Sequence, residues 1–508
     1  MDIRVISGEI QQHDTDAIIV YLFEDQTPHS ATQVTNQALG GALTDLVEGG
    51  DFTGKAGQVA VLYPRGAIPA RRVIAVGLGN LDAFDVDSVR RAAAHGMRKA
   101  RDLKAKRVAS TTAGTGLGGL DATTSAQAII EGSLLALYNY HGQKTDDAPG
   151  ELPEALDLIL YDESDRAAVE RGVNAGKAFA AGTALARELV NLPPNICTPA
   201  YMAQAAQEMA RSAGLKVTVL EEQQMKTLKM GALLGVAQGS DAPPRFIILE
   251  HNADRSDELD TLVLVGKGVT FDTGGYSLKT QDGMVGMKAD MGGAAAVIGA
   301  MNAVAGLDVP LHVVGLAPCA DNMISGHAYR PQEVVTASNG TTIEVISTDA
   351  EGRMLLADSL VYAARYKPAA VVDIATLTGS CVIALGSVAA GLFSTDDQLR
   401  DTLMSAADLT REKLWPLPLF PEYEKAIESH TADIKNTGGS KGGVGTSAIF
   451  LKHFVDYPAW AHIDMAGMAG IEGMGGDMAD NPYMPSKGAT GYGARLLAEF
   501  TRQWAGQG

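Results

Sequence analysis

Three stretches of the sequence carry acids and basic residues at spacings suited to chemistry: Lys267 to Lys279 in KGVTFDTGGYSLK, Met287 to Asp290 in MKAD, and Ser347 to Arg353 in STDAEGR. Asp272 and Asp290 are each followed by paired glycines, which let backbone approach closely and let a carboxylate turn inward. Asp349 and Glu351 are two residues apart, so on an extended turn both can point to one spot. If Asp272, Asp290, Asp349 and Glu351 converge, they cannot all stay ionised without compensating positive charge. The choice is then between a pair of divalent ions and strongly raised carboxyl pKa values, and metals are favoured. Oxygen-rich ligation without Cys or His suits zinc, manganese or magnesium. Two such ions about 3.5 to 4 Å apart can share bridging carboxylates and activate water for hydrolysis.

Taken singly, each residue has an ordinary reading. Asp349 and Glu351 could cap the helix-like run MLLADSLVYAARY, Asp272 and Asp290 could close turns, Lys267 and Lys279 could be solvated, and Arg353 could pair with a helix acid. These readings weaken because all seven are expected at strand ends of one sheet, where independent surface roles would scatter them.

The elements that must position these residues form an α/β pattern. Before about residue 160, β-rich runs such as DAIIVYLF, RRVIAVGLG and LDLILYD alternate with helical spacing as in VDSVRRAAAHGMRKARDL, which predicts a smaller N-terminal α/β domain over 1–160. The polar run HGQKTDDAPGELPEA is the linker candidate, and an Ala-rich connecting helix is expected within 161–190. The larger C-terminal catalytic domain is then 191–508. Its buried-strand candidates are KVTVLE, RFIILEH, TLVLVG, LHVVGLA, TIEVIS, AVVDIAT and AHIDMAG, which predict a central, mostly parallel sheet flanked by helices. In such sheets ligands collect beyond the carboxyl ends of the strands.

Composition narrows the function. A net charge of −19 disfavours nucleic acid and anionic membranes as partners. Three cysteines, Cys197, Cys319 and Cys381, form no zinc or disulfide pattern, and the start MDIRVISGEIQQHD lacks the basic and apolar runs of an export signal, so a cytoplasmic location is expected. The uncharged stretch from Ile374 to Phe393 is long enough for a membrane span, but Gly, Ser and Thr interrupt it and a buried strand and loop is the expectation. Gly49 to Lys55 matches a phosphate loop except that Ala56 replaces the magnesium-binding hydroxyl. Gly114, Gly116 and Gly119 fit a dinucleotide fingerprint, but Glu131 falls inside a helix and not at a second strand end, so a Gly-rich turn is expected instead.

The strings VGKGVTFDTGG, MKADMGGAAAV, STDAEGRMLLAD and DIATLTG closely resemble those of the leucyl aminopeptidase family, and NLPPNICTP and KGATGYGARLLAEF also look like that family's pattern. The resemblance covers roughly residues 190 to 508. It implies an exopeptidase that removes the N-terminal residue, Leu- or Met-like or broad, from peptides with a free amino terminus. By the same resemblance Lys267, Asp272, Asp290 and Glu351 hold the tighter of two divalent ions, while Asp272, Asp349 and Glu351 hold the more exchangeable one. Lys279 would stabilise the oxyanion, and Arg353 would hold a bicarbonate that relays protons. Thr376, Leu377 and Gly379 would line the substrate cleft, with Met287, Ala466 and Ala469 around the first side-chain pocket. The family's hexamer of two stacked trimers is implied for the assembly. One departure is Ser347, where the family commonly has Asn before TDAEGR. Ser lacks the amide donor, which bears on substrate orientation.

Overall fold

The computed structural model describes residues 1–145, 150–470 and 481–506. The chain forms two compact units, one of Met1–Ala180 with a short segment ending at Pro485, the other of the remainder from Ala181. The division falls inside the long helix Arg166–Asn191. Residues 146–149 of the expected linker lie outside the described residues.

In the first unit six strands, β1 (Asp2–Ser7), β2 (Ala17–Phe23), β3 (Val59–Leu62), β4 (Val73–Gly79), β5 (Arg107–Ser110) and β6 (Ala155–Leu160), form one sheet of order β1-β6-β5-β2-β4-β3. All neighbours are parallel except the β3–β4 edge. The continuous apolar run of β2 follows from burial on both faces. Ile19, Tyr21 and Phe23 join the core that holds Val89 and Met97 of the helix Val86–Asp102, while Ile18, Val20 and Leu22 join a second core with Leu43 and Phe52.

The second unit is built on a sheet of β7 (Lys216–Leu220), β8 (Arg245–His251), β9 (Thr261–Gly266), β10 (Gly268–Asp272), β11 (His312–Asn322), β14 (Ala370–Ala375), β15 (Ala390–Ser394), β16 (Leu414–Pro416) and β18 (Trp460–Asp464). The order is β16-β15-β18-β14-β9-β11-β8-β7, with β10 also paired to β11. Its middle, β18-β14-β9-β11 with β10, is parallel, whereas β15, β8 and β7 join antiparallel. Every residue of β9 and β14 is buried, as double-sided helix cover requires, while β7 at the edge alternates with exposed positions.

One expected strand belongs elsewhere. TIEVIS yields only β13 (Thr342–Glu344), which pairs with β12 (Val334–Thr336) and β17 (Ile434–Lys435) in a separate three-stranded sheet. Of its three residues only Ile343 is buried, so it does not meet the two-sided burial of the central strands. The stretch Ile374 to Phe393 folds as the end of β14, the short helix Gly379–Leu385 and β15. Among the described residues no helix is long and apolar enough to cross a membrane.

The glycine motif at 114–119 lies between β5 and the helix Ala122–Leu137. The Phe84 ring occupies the space a side chain would need: a Cβ on Gly114 would meet Cζ of Phe84 at 2.3 Å. Glu131 is buried against Arg90 at 2.8 Å. The Phe84 ring thus accounts for the glycine at 114, and the ion pair with Arg90 for the buried Glu131.

Candidate active site

The carboxyl ends of β9, β10, β14 and β18 converge on a cavity of about 400 Å³. Lys267 follows β9 directly, Asp272 ends β10, and the segments after β14 and β18 supply Thr376 to Gly379 and Ala466, Ala469 and Gly470. The other residues arrive differently from expectation. Asp290 closes a single 3-10 turn, Met287–Ala289, ahead of the helix Gly292–Ala305. Asp349 and Glu351 follow the small sheet and not the central one, and Arg353 lies in the first turn of the helix Gly352–Ala363. The site is therefore assembled from one sheet's strand ends plus two helix entries. Glu351 stands at the N-cap of its helix but makes no side-chain capping bond, so capping does not explain it.

Asp272, Asp290 and Glu351 are buried, and one carboxylate oxygen from each lies within 4.8 Å of the other two. The Lys267 ammonium sits among them, 2.7 Å from Asp290 Oδ1, 2.8 Å from Glu351 Oε1 and 2.9 Å from the Thr376 carbonyl. Gly352 is what lets this side chain through, since a Cβ there would lie 2.3 Å from Lys267 Cε. Lys279 bridges Asp272 Oδ2 at 2.8 Å and Asp349 Oδ1 at 2.5 Å. Gly274, at φ +84°, turns the loop so closely that a Cβ would meet Asp349 Oδ1 at 2.8 Å.

Four carboxylates thus share two ammonium groups, and the imbalance appears in their proton affinities. Burial, reinforced by Glu351, pushes Asp272 up to about 6. Burial pushes Asp290 well above the usual carboxylate range against the pull of Lys267, and Glu351 and Asp272 add to the rise. Asp349 is raised by burial against the pull of Lys279. Glu351 goes the other way: burial opposes its charge, but Lys267 and then Lys279 hold it at about 2. Burial disfavours both ammonium groups, yet the acids around them raise Lys267 and Lys279. Asp290 Oδ2 is buried without a hydrogen-bond partner. An orphaned carboxylate oxygen within a surplus of negative charge fits cation ligation.

The cavity wall carries Met287, Thr376, Leu377, Gly379, Ala466 and Ala469 together with Lys267, Asp272, Lys279, Asp290, Asp349 and Glu351. Arg353 is not on the wall; it is buried, with Nη1 donating to the Asn436 carbonyl at 2.8 Å and Nε without a partner. Burial lowers its pKa to about 10. A buried guanidinium with a spare donor fits an anion such as bicarbonate. Ser347 is not on the wall; its Oγ accepts the Asp349 amide at 3.2 Å.

The chain matches the model of the cytosol aminopeptidase family's catalytic domain over residues 184–498 and that of the family's N-terminal domain over 19–147. A probable cytosol aminopeptidase of Roseiflexus castenholzii is 44% identical over 508 residues, covering 99% of each chain. The chain belongs to the cytosol aminopeptidase family. It is accordingly a metal-dependent exopeptidase, a hydrolase of peptides. Among solved structures it resembles a mutant of tomato leucine aminopeptidase, with TM-score 0.85 and 34% identity over 99% of this chain and 96% of that one. It is also similar to the bottromycin maturation enzyme BotP in complex with Mn, with TM-score 0.83 and 34% identity over 97% of this chain and 100% of that one.

Three polar residues of this aminopeptidase's site escaped the sequence reading. Asp464, fully buried at the end of β18, accepts the Thr378 hydroxyl at 2.6 Å and the amides of Leu377 and Ala466 at 3.3 and 3.2 Å, joining the two loops of the cavity wall. Asn436 clamps the 346–347 backbone: its Oδ1 accepts the Ile346 amide at 2.8 Å and its Nδ2 donates to the Ser347 carbonyl at 2.6 Å. Asn322 ends β11 beside Asp272. An acid closing the apolar run WAHID was the one available signal.

Proposed function

We propose that this aminopeptidase removes the N-terminal residue, Leu- or Met-like or broad, from peptides with a free amino terminus, using two divalent ions. The observation that carries the proposal is the buried trio of Asp272, Asp290 and Glu351 with Lys267 among them. Lys267, Asp272, Asp290 and Glu351 would hold one ion, and Asp272, Asp349 and Glu351 the other, each zinc, manganese or magnesium. Such ions, when bound, polarise a scissile carbonyl and make water nucleophilic at neutral pH.

The chain's own residues do the rest. Lys279 extends into the cavity from the side of Asp272 and Asp349, where its ammonium would stabilise the negative charge that develops on the carbonyl oxygen. Arg353 would hold bicarbonate through its spare Nε donor, supplying a proton relay where no histidine among the described residues lines the cavity. Met287, Ala466 and Ala469 would receive the first side chain, and Thr376, Leu377 and Gly379 would orient the peptide backbone. Ser347, turned to the Asp349 amide, would act on substrate only through that loop. A homohexamer and a cytoplasmic location, both implied by the family resemblance, complete the proposal.

The test is hydrolysis of one leucyl tripeptide, free and N-acetylated, by protein stripped with a chelator and then given Mn²⁺ or Zn²⁺. Cleavage of the free peptide alone, and only with metal restored, is expected. Comparable kcat/KM for the two forms, or full activity in metal-free protein, overturns it.

A further inference from the structure

Asn322 has a geometry that nothing in its sequence setting announces. The residue closes the 11-residue strand β11 and is 0% exposed. Its Nδ2 donates to Asp272 Oδ1 at 2.8 Å and to the Thr348 carbonyl at 2.9 Å. Its own carbonyl accepts the Thr273 amide at 3.1 Å and the Thr273 hydroxyl at 2.8 Å. One side-chain amide therefore ties the Asp272 loop to the loop that carries Asp349.

The first donation divides the Asp272 carboxylate. Oδ1 is taken by Asn322 and by the Gly274 amide at 2.8 Å, which leaves Oδ2 turned toward Lys279 and the cavity. The second donation fixes the peptide unit immediately before Asp349, where Tyr329 also donates to the same carbonyl at 3.1 Å. Meanwhile Asn322 Oδ1 is buried without a partner. An orphaned buried acceptor costs stability, so an amide is ill suited to this position as a purely structural residue.

We propose that Asn322 is a positioning residue that sets the affinity of the ion shared by Asp272 and Asp349, through its simultaneous donation to Asp272 and the Thr348 carbonyl. The inference rests on the two-ion reading above. It makes an asymmetric prediction. Of the four residues assigned to one ion Asn322 touches only Asp272, whereas for the other it touches Asp272 and the peptide leading into Asp349. Residues that orient metal ligands typically control affinity by about 10- to 100-fold.

The test titrates Mn²⁺ into the metal-free full-length protein against a competing chelator, for wild type and for Asn322→Asp and Asn322→Ala. Asp keeps the shape and loses the donors; Ala loses both groups. The melting temperature of each metal-free variant is recorded beside the titration. The weaker of the two Mn²⁺ equilibria should fall about 10- to 100-fold, with the stronger one changing several-fold less. Wild-type affinities in either folded variant overturn the role of Asn322 and leave the two-ion reading intact. Equal loss at both sites together with a lowered melting temperature, or failure of both variants to fold, makes Asn322 a folding residue and overturns it too. Wild-type protein that binds fewer than two Mn²⁺ overturns the two-ion reading itself.

Discussion

Each of the two units buries a cluster of charge, and the clusters are built on opposite principles. In the first unit Arg90, 2% exposed, donates to Glu131 at 2.8 Å and to Asp87 at 2.9 Å. Gln127 donates to Glu131 at 2.7 Å and Tyr483 to Asp87 at 2.6 Å, so the charges are bridged and the polar atoms answered locally. In the second unit four carboxylates share two ammonium groups, three acids are pushed above their ordinary pKa, and an oxygen of Asp290 has no partner. A closed network of buried charge holds a fold together. An open one, with a buried carboxylate oxygen left unanswered and three acids pushed above their ordinary range, is a site for something of the opposite sign.

The comparison breaks most sharply at Arg90. Arg90→Met should destabilise the protein by about 3–5 kcal/mol, because it strands two buried acids, while the folded fraction keeps its kcat/KM. Urea unfolding and activity measured on the same sample check both halves. A variant as stable as wild type would show that the first network is not closed in the sense argued.

At the open cluster the effect should fall on rate instead. Lys279→Ala removes an exposed-side partner of Asp272 and Asp349 and should lower kcat by about 10²- to 10³-fold, the scale for losing an oxyanion donor. Metal content by elemental analysis should stay at the wild-type value. Loss of metal with the rate per bound ion preserved would assign Lys279 to metal binding.

A smaller effect concerns acid stability of the first unit. Burial, with Arg91 and Arg98 nearby, lowers His95 from 6.5 to about 4. The folded state thus keeps a neutral imidazole where the unfolded chain takes up a proton, and stability is lost as pH falls from 6.5 toward 4. His95→Gln should flatten that slope in melting temperature. An unchanged slope would place the acid sensitivity elsewhere.

How much of this was legible in the sequence follows from how local the signals are. The metal-ligand candidates sit in short strings whose glycines and acids mark them, and the structure brings Lys267, Asp272, Lys279, Asp290, Asp349 and Glu351 to one cavity. The parallel middle of the second sheet was legible because β9 and β14 are short apolar runs interrupted only by Thr261 and Asp373, and both are buried along their whole length. TIEVIS misled because a β-branched hexamer reads alike whether it enters a central sheet or a three-residue strand of a separate small one. Asp290 was expected at a strand end, but the glycines that follow it open a helix. Asn322 and Asn436 left no trace, since an isolated Asn carries no periodicity and their partners lie 26 to 90 residues away.

The claim that the second cluster is open because it is built for cations is tested most directly by diffraction. Crystals of the metal-free protein soaked in Mn²⁺ should give two anomalous peaks among Lys267, Asp272, Asp290, Asp349 and Glu351, and none beside Arg90, Asp87 and Glu131. A map with no peak at those five residues, in protein that hydrolyses a leucyl peptide, would contradict the account.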